Sequence, residues 1–492
     1  MLFAATMINY MDRQVLSLTW KDFIAPDFHW SDTDFGDIAA IFSLVYAAGN
    51  LVAGRFIDWI GTKRGYLIAI GVWSVGACMH ALCGIATMGW LDLGSTEEMI
   101  SATGTTATMI ATVSVWFFLA SRVVLAIGES GNFPAAIKTT AEYFPKRDRA
   151  FATSIFNAGS TVGACAAPFC IPSLARYFKN IGWGGGWEMA FVIIGALGFV
   201  WMALWMWIYD KPEASKYVNQ AELDYIHQED ELLANTGKAE DVEESARAEE
   251  VGTDTQKQDS IVARTARIIV SSLSIFRHAQ TWAILLARLF TDGVWWFLLF
   301  WTPAYLKDVF QLESDNPITM TLIAVLYLLT MLSIYGGKLP TIIMERTGMN
   351  AYESRLRALF FVAVIPLIVI FAQPLGNYSY WFPVILIGLA AAAHQSWSAN
   401  IYSVISDLYP QNSIGTMTGI CGLAAGIGSF SINYVSGRLF DYADQTGMQF
   451  LGFEGKPAGY FIIFCYCAVA YILGWCILKI LVPKYNPVTR NV

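Results

Sequence analysis

Gly54-Arg55-Phe56-Ile57-Asp58-Trp59-Ile60-Gly61-Thr62-Lys63-Arg64 is a short polar interruption between two apolar runs, which begin near residues 35 and 65. Each run is long enough to cross a hydrocarbon core, which takes about 20 helical residues. The interruption is bounded by glycines and ends on two basic residues. Lys and Arg concentrate in short loops on the cytoplasmic side of a membrane, so this stretch reads as a cytoplasmic turn between two spans. Working outward from it, further runs begin near residues 1, 108, 149 and 186, then near 279, 317, 356, 379, 413 and 458. The composition agrees: 55% of the 492 residues are hydrophobic and 14% charged, with 18 Trp and 31 Phe. Soluble domains run near 25% charged. The expected fold is therefore an all-α polytopic membrane protein of about twelve transmembrane helices.

The spans fall into two groups of six. Residues 1–209 form the first, 279–492 the second, and the polar stretch 210–278 links them. Residues 211–260 hold 14 acidic and 5 basic residues, so the net charge of −8 belongs to the linker, and the remainder is nearly neutral. An acidic balance confined to one loop implies no basic partner and no nucleic acid. Pro212 to Glu231 has the pattern of a surface helix, and Gly237 to Ser260 that of a disordered segment. An internal echo supports duplication. Glu142-Tyr143-Phe144-Pro145 ends the fourth span, and Asp407-Leu408-Tyr409-Pro410 ends the tenth. That offset places His394 opposite Glu129 and Ile387 opposite Arg122, so the scaffold repeats while the charges do not.

Basic residues also follow span four (Lys146, Arg147, Arg149) and span eight (Arg346, Arg355, Arg357), whereas Asp27, Asp32, Asp34 and Asp37 read as an acidic loop on the opposite side. Both termini and the linker are expected in the cytoplasm. There is no signal-peptide pattern ahead of the first span, and a short basic lead-in is expected before Met1. The eight cysteines lie in or beside apolar spans, where a free thiol packs as a small hydrophobe.

The chemistry is concentrated at ionisable groups inside spans. Asp12 and Arg13 adjoin in the first, and Arg122 and Glu129 lie seven residues apart in the fourth. Each such group costs roughly 2.5–3.5 kcal/mol at bilayer depth, so they face a polar interior. Seven residues return to nearly the same helix face about 10 Å along the axis, which puts Arg122, Glu129 and Asn132 on one stripe. The bland alternative is a pair of structural ion pairs. Arg grips a carboxylate with a two-pronged fork, so Arg13 or Arg122 suits an anionic substrate. Asp12 and Glu129 each have an arginine close in sequence, and each would hold a proton once that arginine is engaged elsewhere.

The opening stretch resembles the loop motif of the major facilitator superfamily, carried here by Gly54, Asp58, Gly61, Lys63 and Arg64; Trp59 and Thr62 depart from its usual basic residues. The resemblance implies two six-helix halves, alternating access, and a conformational latch at this loop. Its second-half echo is Gly337-Lys338-Leu339-Pro340-Thr341 with Arg346 and Gly348. Three further segments resemble the anion:cation symporter family: Asn9-Tyr10-Met11-Asp12-Arg13, Gly128-Glu129-Ser130-Gly131-Asn132-Phe133-Pro134, and His394-Gln395-Ser396-Trp397-Ser398-Ala399-Asn400. The third, with Ser406-Asp407-Leu408-Tyr409-Pro410, resembles bacterial hexuronate transporters. What this implies is proton-coupled uptake of glucuronate or galacturonate across the inner (plasma) membrane by a monomer. Asp12 and Glu129 would be the protonated carboxylates, and Arg13 and Arg122 the substrate clamp. Tyr46, Asn50, Asn157 and Ser160 would read hydroxyls, and Asn132, His394, Gln395, Trp397 and Asn400 are further substrate-binding candidates. Some sugar-acid members carry Gln at the place of Ser160 and Asn at that of Gly422, departures that weaken a galactonate assignment; another sugar acid or organic anion, such as galactonate or glucarate, stays the alternative.

Span seven holds Arg288, Asp292, Trp295, Trp296 and Trp301, and its aromatic residues read equally as substrate stacking or as helix packing. His394 reads as a structural hydrogen-bonding residue or as a substrate or proton ligand, and Asp407 as a cap or gate. Gly159 and Gly163 read as helix-packing positions. An enzyme is not expected: Gly128-Glu129-Ser130-Gly131-Asn132 lacks the closing glycine of a nucleophile elbow and lies in a span. No GxxxxGK[ST] loop is present for ATP-driven pumping. The five histidines lack metal-ligand spacing, so no cofactor is expected. An anion exchanger and a sugar-acid sensor that has lost transport remain the competing readings.

Overall fold

The computed structural model describes residues 1–226, 275–409 and 411–488. Its first six long helices are α1 (Leu2–Thr19), α2 (Asp32–Ile60), α3 (Thr62–His80, bent into Cys83–Leu91), α4 (Thr105–Glu129 with Asn132–Tyr143), α5 (Lys146–Asn180) and α6 (Trp187–Ile208). After residue 274 come α7 (Ala279–Phe310), α8 (Pro317–Thr330 with Ser333–Thr347), α9 (Ala351–Val364, a 3-10 stretch Ile365–Phe371, then Ala372–Gly376), α10 (Trp381–Leu408), α11 (Gln411–Thr446) and α12 (Lys456–Leu481). A two-stranded antiparallel hairpin, Gln449–Phe450 with Phe453–Glu454, joins the last two. Nine of these helices are apolar and long enough to span a membrane, and the bent pair of α3 makes a tenth. The remaining two, α1 and α10, are the ones diluted by Asn9, Asp12, Arg13 and Gln14 and by His394, Gln395 and Asn400. The runs counted from sequence begin within about five residues of these helices. In the linker, a 3-10 turn covers Pro212–Ala214 and 220–226 is helical. The segment expected to be disordered, Gly237 to Ser260, lies outside the described residues.

Local chemistry explains the breaks. Gly61 ends α2 and starts α3 at φ +92°, a backbone conformation that favours glycine. Both α4 and α10 end in extended residues, Phe144 and Tyr409, each followed by a proline that disfavours further helix. Two glycines set the depth at which α1 packs on α5. A Cβ at Gly159 would lie 2.3 Å from the Phe3 carbonyl oxygen, and one at Gly163 would lie 2.3 Å from that of Met7. Backbone oxygens cannot step aside singly, so the helices touch only because no side chain intervenes. Gly163→Ala should therefore destabilise the protein by about 1–3 kcal/mol through overpacking. A scan of melting temperature in detergent checks this; Gly54→Ala, where an added Cβ meets nothing within 4 Å, should leave it unchanged.

The two ends of the bundle differ. At the end carrying Lys63, the ties run within each group of six helices. Lys63 meets Asp210 at 2.7 Å, Lys138 meets Asp58 at 2.8 Å, and Arg355 pairs with Asp407. At the opposite end the ties cross between the groups. Lys21 and Lys456 both hold Asp32 at 2.5 Å, Lys21 reaches Asp308 at 3.1 Å, and Arg438 meets Asp37 at 2.6 Å. Arg176 of α5 pairs with Asp315 and lies 3.1 Å from Glu313. Among the described residues, every ion pair between the first six and last six helices is at this end. Asp32, Asp34 and Asp37 are thus not loop residues, as their spacing suggested. They form the first turns of α2, where Ser31 and Asp34 make a reciprocal capping box that satisfies orphan amides.

Candidate substrate site

The glycine-mediated seat of α1 on α5 brings its polar face against α2, α4 and α7. There Arg13 donates to Glu129 Oε2 from Nε (2.9 Å) and Nη2 (2.6 Å), with both side chains almost fully buried. Neither pairs with its sequence neighbour. Adjacent helical residues point about 100° apart, and positions seven apart are two turns distant, so neither Asp12–Arg13 nor Arg122–Glu129 can close a direct bond. The bond that forms is between helices.

Around the Arg13 guanidinium stand Tyr46 (4.7 Å), Trp296 (5.0 Å), Tyr10 (5.2 Å) and Phe42 (5.8 Å), measured to ring centres. Ring faces attract the cation but cannot neutralise it, so Glu129 is the counter-charge of this cage. Arg122, 5.2 Å from the Phe42 ring centre, borders a small cavity with Leu16, Ser17, Phe35, Ala39 and Phe300. Its Nη1 and both carboxylate oxygens of Asp12 are buried without a hydrogen-bond partner. Asp12 and Arg122 lie within electrostatic reach of each other without touching. Buried polar atoms are nearly always satisfied, so these unfilled ones mark a place where a polar ligand or a proton belongs. Phe42, Tyr10 and Trp296 were not singled out from sequence as neighbours of Arg13. The available signal was the i,i+4 spacing of Phe42 and Tyr46 on one face of α2.

The other expected residues are distributed more widely. Asn50 lies one turn beyond Tyr46 and donates to its carbonyl at 3.0 Å. Asn132 does not continue the Arg122–Glu129 stripe: α4 is interrupted after Glu129, and Asn132 accepts from Tyr66 of α3 at 2.8 Å. On α5, Asn157 is exposed and Ser160 donates to its carbonyl at 2.6 Å. In the second group, His394 shares a hydrogen bond with Tyr471 (2.9 Å) and stacks on Trp295 (5.5 Å). Trp397 is fully buried edge-on to Tyr471, and Asn400 donates to carbonyls of Gly336 and Ser396. Gln395 is half-buried beside them. Trp301 donates to Asn433 of α11 at 2.9 Å and packs within the core. At the glycine-rich loop, Lys138 ties Asp58 to α4, and Lys63 ties α3 to the end of α6. Arg64 is exposed, and Gly54 and Gly61 have open space around them.

The chain matches known carriers across most of its length. It is 25% identical over 441 residues to the hexuronate transporter of Escherichia coli K12, covering 89% of this chain and 85% of that protein. The D-galactonate transporter of Escherichia coli O6:H1 is 24% identical, with 89% and 87% covered. The probable galactarate/D-glucarate transporter of Escherichia coli K12 is 22% identical, with 92% and 90% covered. Among solved structures, a D-xylose-proton symporter superposes with a TM-score of 0.59 at 14% identity, covering 100% of this chain and 97% of that one. An inward-facing bacterial homologue of the lysosomal transporter Spinster also reaches 0.59, at 18% identity, with 98% and 93% covered. The Major Facilitator Superfamily model matches residues 2–432, and this chain, a multi-span membrane transporter related to sugar-acid carriers, belongs to that superfamily.

Proposed function

We propose that the protein carries a hexuronate, glucuronate or galacturonate, together with a proton. The observation that carries this reading is the Arg13–Glu129 pair inside its aromatic cage, beside the unsatisfied Asp12 and Arg122. A substrate carboxylate competes with Glu129 for Arg13. Once displaced, Glu129 is a buried carboxylate without a counter-charge, and taking up a proton is the least costly way to remain there. Substrate and proton therefore occupy the site together and leave it together. Arg122 offers a second cation toward the same cavity, and Asp12 a second carboxylate. Tyr46 and Trp296 present ring faces suited to a sugar's C–H surface. The relatedness to hexuronate, galactonate and galactarate carriers supports a sugar acid as the class.

In this reading 1–209 and 279–492 are two halves that rock about the central site, and 210–278 is a connector. The Lys63 end faces the cytoplasm with both termini, by the distribution of basic residues, and the working unit is a monomer in the inner membrane. Closure at the Asp32 end then corresponds to an inward-facing state. Uptake of labelled glucuronate and galacturonate into proteoliposomes, with and without an inward proton gradient, tests the assignment. Accumulation that follows the gradient and collapses with an uncoupler supports it. Uncoupler-insensitive exchange assigns an antiporter, and binding without flux assigns a sensor.

A further inference from the structure

Residues 288, 292, 296 and 300 of α7 follow one another at i,i+4 spacing and share one face. Its middle belongs to the central site, since Trp296 faces Arg13 and Phe300 borders the Arg122 cavity. Eight residues earlier, about 12 Å toward the Lys63 end, the same face carries a second buried ion pair. Arg288 Nη2 lies 2.5 Å from Asp292 Oδ2, with both side chains 6% exposed. The guanidinium sits over Tyr402 of α10 at 4.5 Å. Its Nε and Nη1 are buried with no hydrogen-bond partner.

Packing does not account for this pair. Helix α7 crosses α11 on a different face, where Gly293 meets the Gly428 carbonyl, and Thr291 lies against α12 through Tyr471 and Gly474. A buried ion pair adds little net stability, and one that leaves two guanidinium donors empty adds less. Along α11, Gly426 is pressed against Ala47 of α2 and Gly419 against Leu51, yet between them a Cβ built on Gly422 meets nothing within 4 Å. Cys421, its neighbour, is within electrostatic reach of Arg288. The stretch of α11 around Gly422 is thus open where Gly419 and Gly426 are closely packed.

We propose that Arg288 is a second anion-binding station, taking the carboxylate of a sugar acid between the Arg13 site and the Lys63 end. This rests on the sugar-acid transport reading. The empty Nε and Nη1 lie on either side of the Nη2 held by Asp292, so each can give a single hydrogen bond to a carboxylate oxygen, and Asp292 is the built-in competitor that keeps the hold weak enough for release. Removing each partner should then have opposite effects on binding, which a purely structural pair would not produce.

The test uses full-length protein reconstituted in one orientation, with glucuronate and galacturonate presented from either side. Arg288→Gln should raise KM about tenfold from the Lys63 side, as expected for losing a charge-assisted contact, and less than twofold from the other. Asp292→Asn should lower that same KM and slow turnover. Equal KM changes from both sides, or same-direction changes in the two variants, would overturn the station. So would full recovery of wild-type transport by the Arg288→Gln/Asp292→Asn double variant, the result a structural pair predicts. Calorimetric binding of glucuronate to the detergent-solubilised protein gives an independent reading, expected weaker in Arg288→Gln and tighter in Asp292→Asn. If wild-type protein neither moves nor binds a sugar acid, the transport reading itself fails and the station with it; if wild type transports but the variants show no asymmetry, the station alone fails.

Discussion

Glu129→Gln protein should bind a sugar acid and exchange it across a bilayer, yet fail to concentrate it. Glu129 is the counter-charge of an arginine otherwise surrounded by aromatic rings. Glutamine imitates the protonated acid in shape and charge, so it leaves Arg13 permanently available to substrate but removes the group that must load and unload a proton. A gradient of two pH units stores about 1.4 kcal/mol per unit, enough for about hundredfold accumulation if one proton accompanies one monoanion. The variant should show a ratio near one, with counterflow of preloaded substrate preserved. Glu129→Gln vesicles that still accumulate substrate against its gradient would remove Glu129 from the coupling scheme and leave Asp12 as its carrier. Asp12→Asn is the informative companion. Asp12 makes no hydrogen bond to lose, so a loss of coupling there reports on proton binding with the Arg13–Glu129 pair left in place.

That Arg13, rather than Arg122, holds Glu129 was not legible in the sequence. The segments Asn9–Arg13 and Arg122–Asn132 displayed their charges plainly, because ionisable residues stand out against an apolar run. Their pairing depends on how α1 and α4 are rotated about their own axes, and that is set by contacts such as Gly159 and Gly163 against the backbone of α1. The same limit applies to Asn132, whose spacing fits the Arg122 stripe but which the interruption after Glu129 turns toward Tyr66. His394, Trp397 and Asn400 show the converse. Their polarity suggested substrate contacts, while their hydrogen bonds and ring contacts in the structure run to Tyr471, Gly336 and Ser396. The helices themselves were legible almost throughout, since hydropathy, glycine and proline act locally. Least legible was the closed end. Asp32 read as a loop acid because its partners, Lys21 and Lys456, come from helices at opposite ends of the chain.

Those partners make Asp32 the residue whose loss should most shift the conformational balance. Its carboxylate is fully buried between two lysine ammonium groups, each at 2.5 Å, and Asp308 completes the cluster with a hydrogen bond from Tyr460. Four helical segments meet there: Trp20–Ile24, which continues α1, then α2, α7 and α12. In Asp32→Asn the two lysines would be left with Asp308 and, for Lys456, the exposed Asp444 at 3.9 Å, leaving excess positive charge in a poorly solvated space. Breaking a buried pair by removing one partner costs about 3–5 kcal/mol. Conformers of such a carrier differ by only a few kcal/mol, so this loss is large enough to reverse their populations. Because the described ion pairs between the two helix groups all lie at this end, the closed state alone bears the penalty. Spin labels at the exposed Tyr177 of α5 and Ile318 of α8 should report a longer distance in Asp32→Asn than in the parent protein. Asp58→Asn, whose Lys138 partner belongs to the same six helices, should leave that distance unchanged. Lys456→Gln, which removes a cation and still leaves Lys21 on Asp32, should open the same end to a smaller degree. An unaltered distance distribution in both Asp32→Asn and Lys456→Gln would mean that apolar contacts, such as Trp20 and Phe35 against Trp301, hold this end shut without the charges.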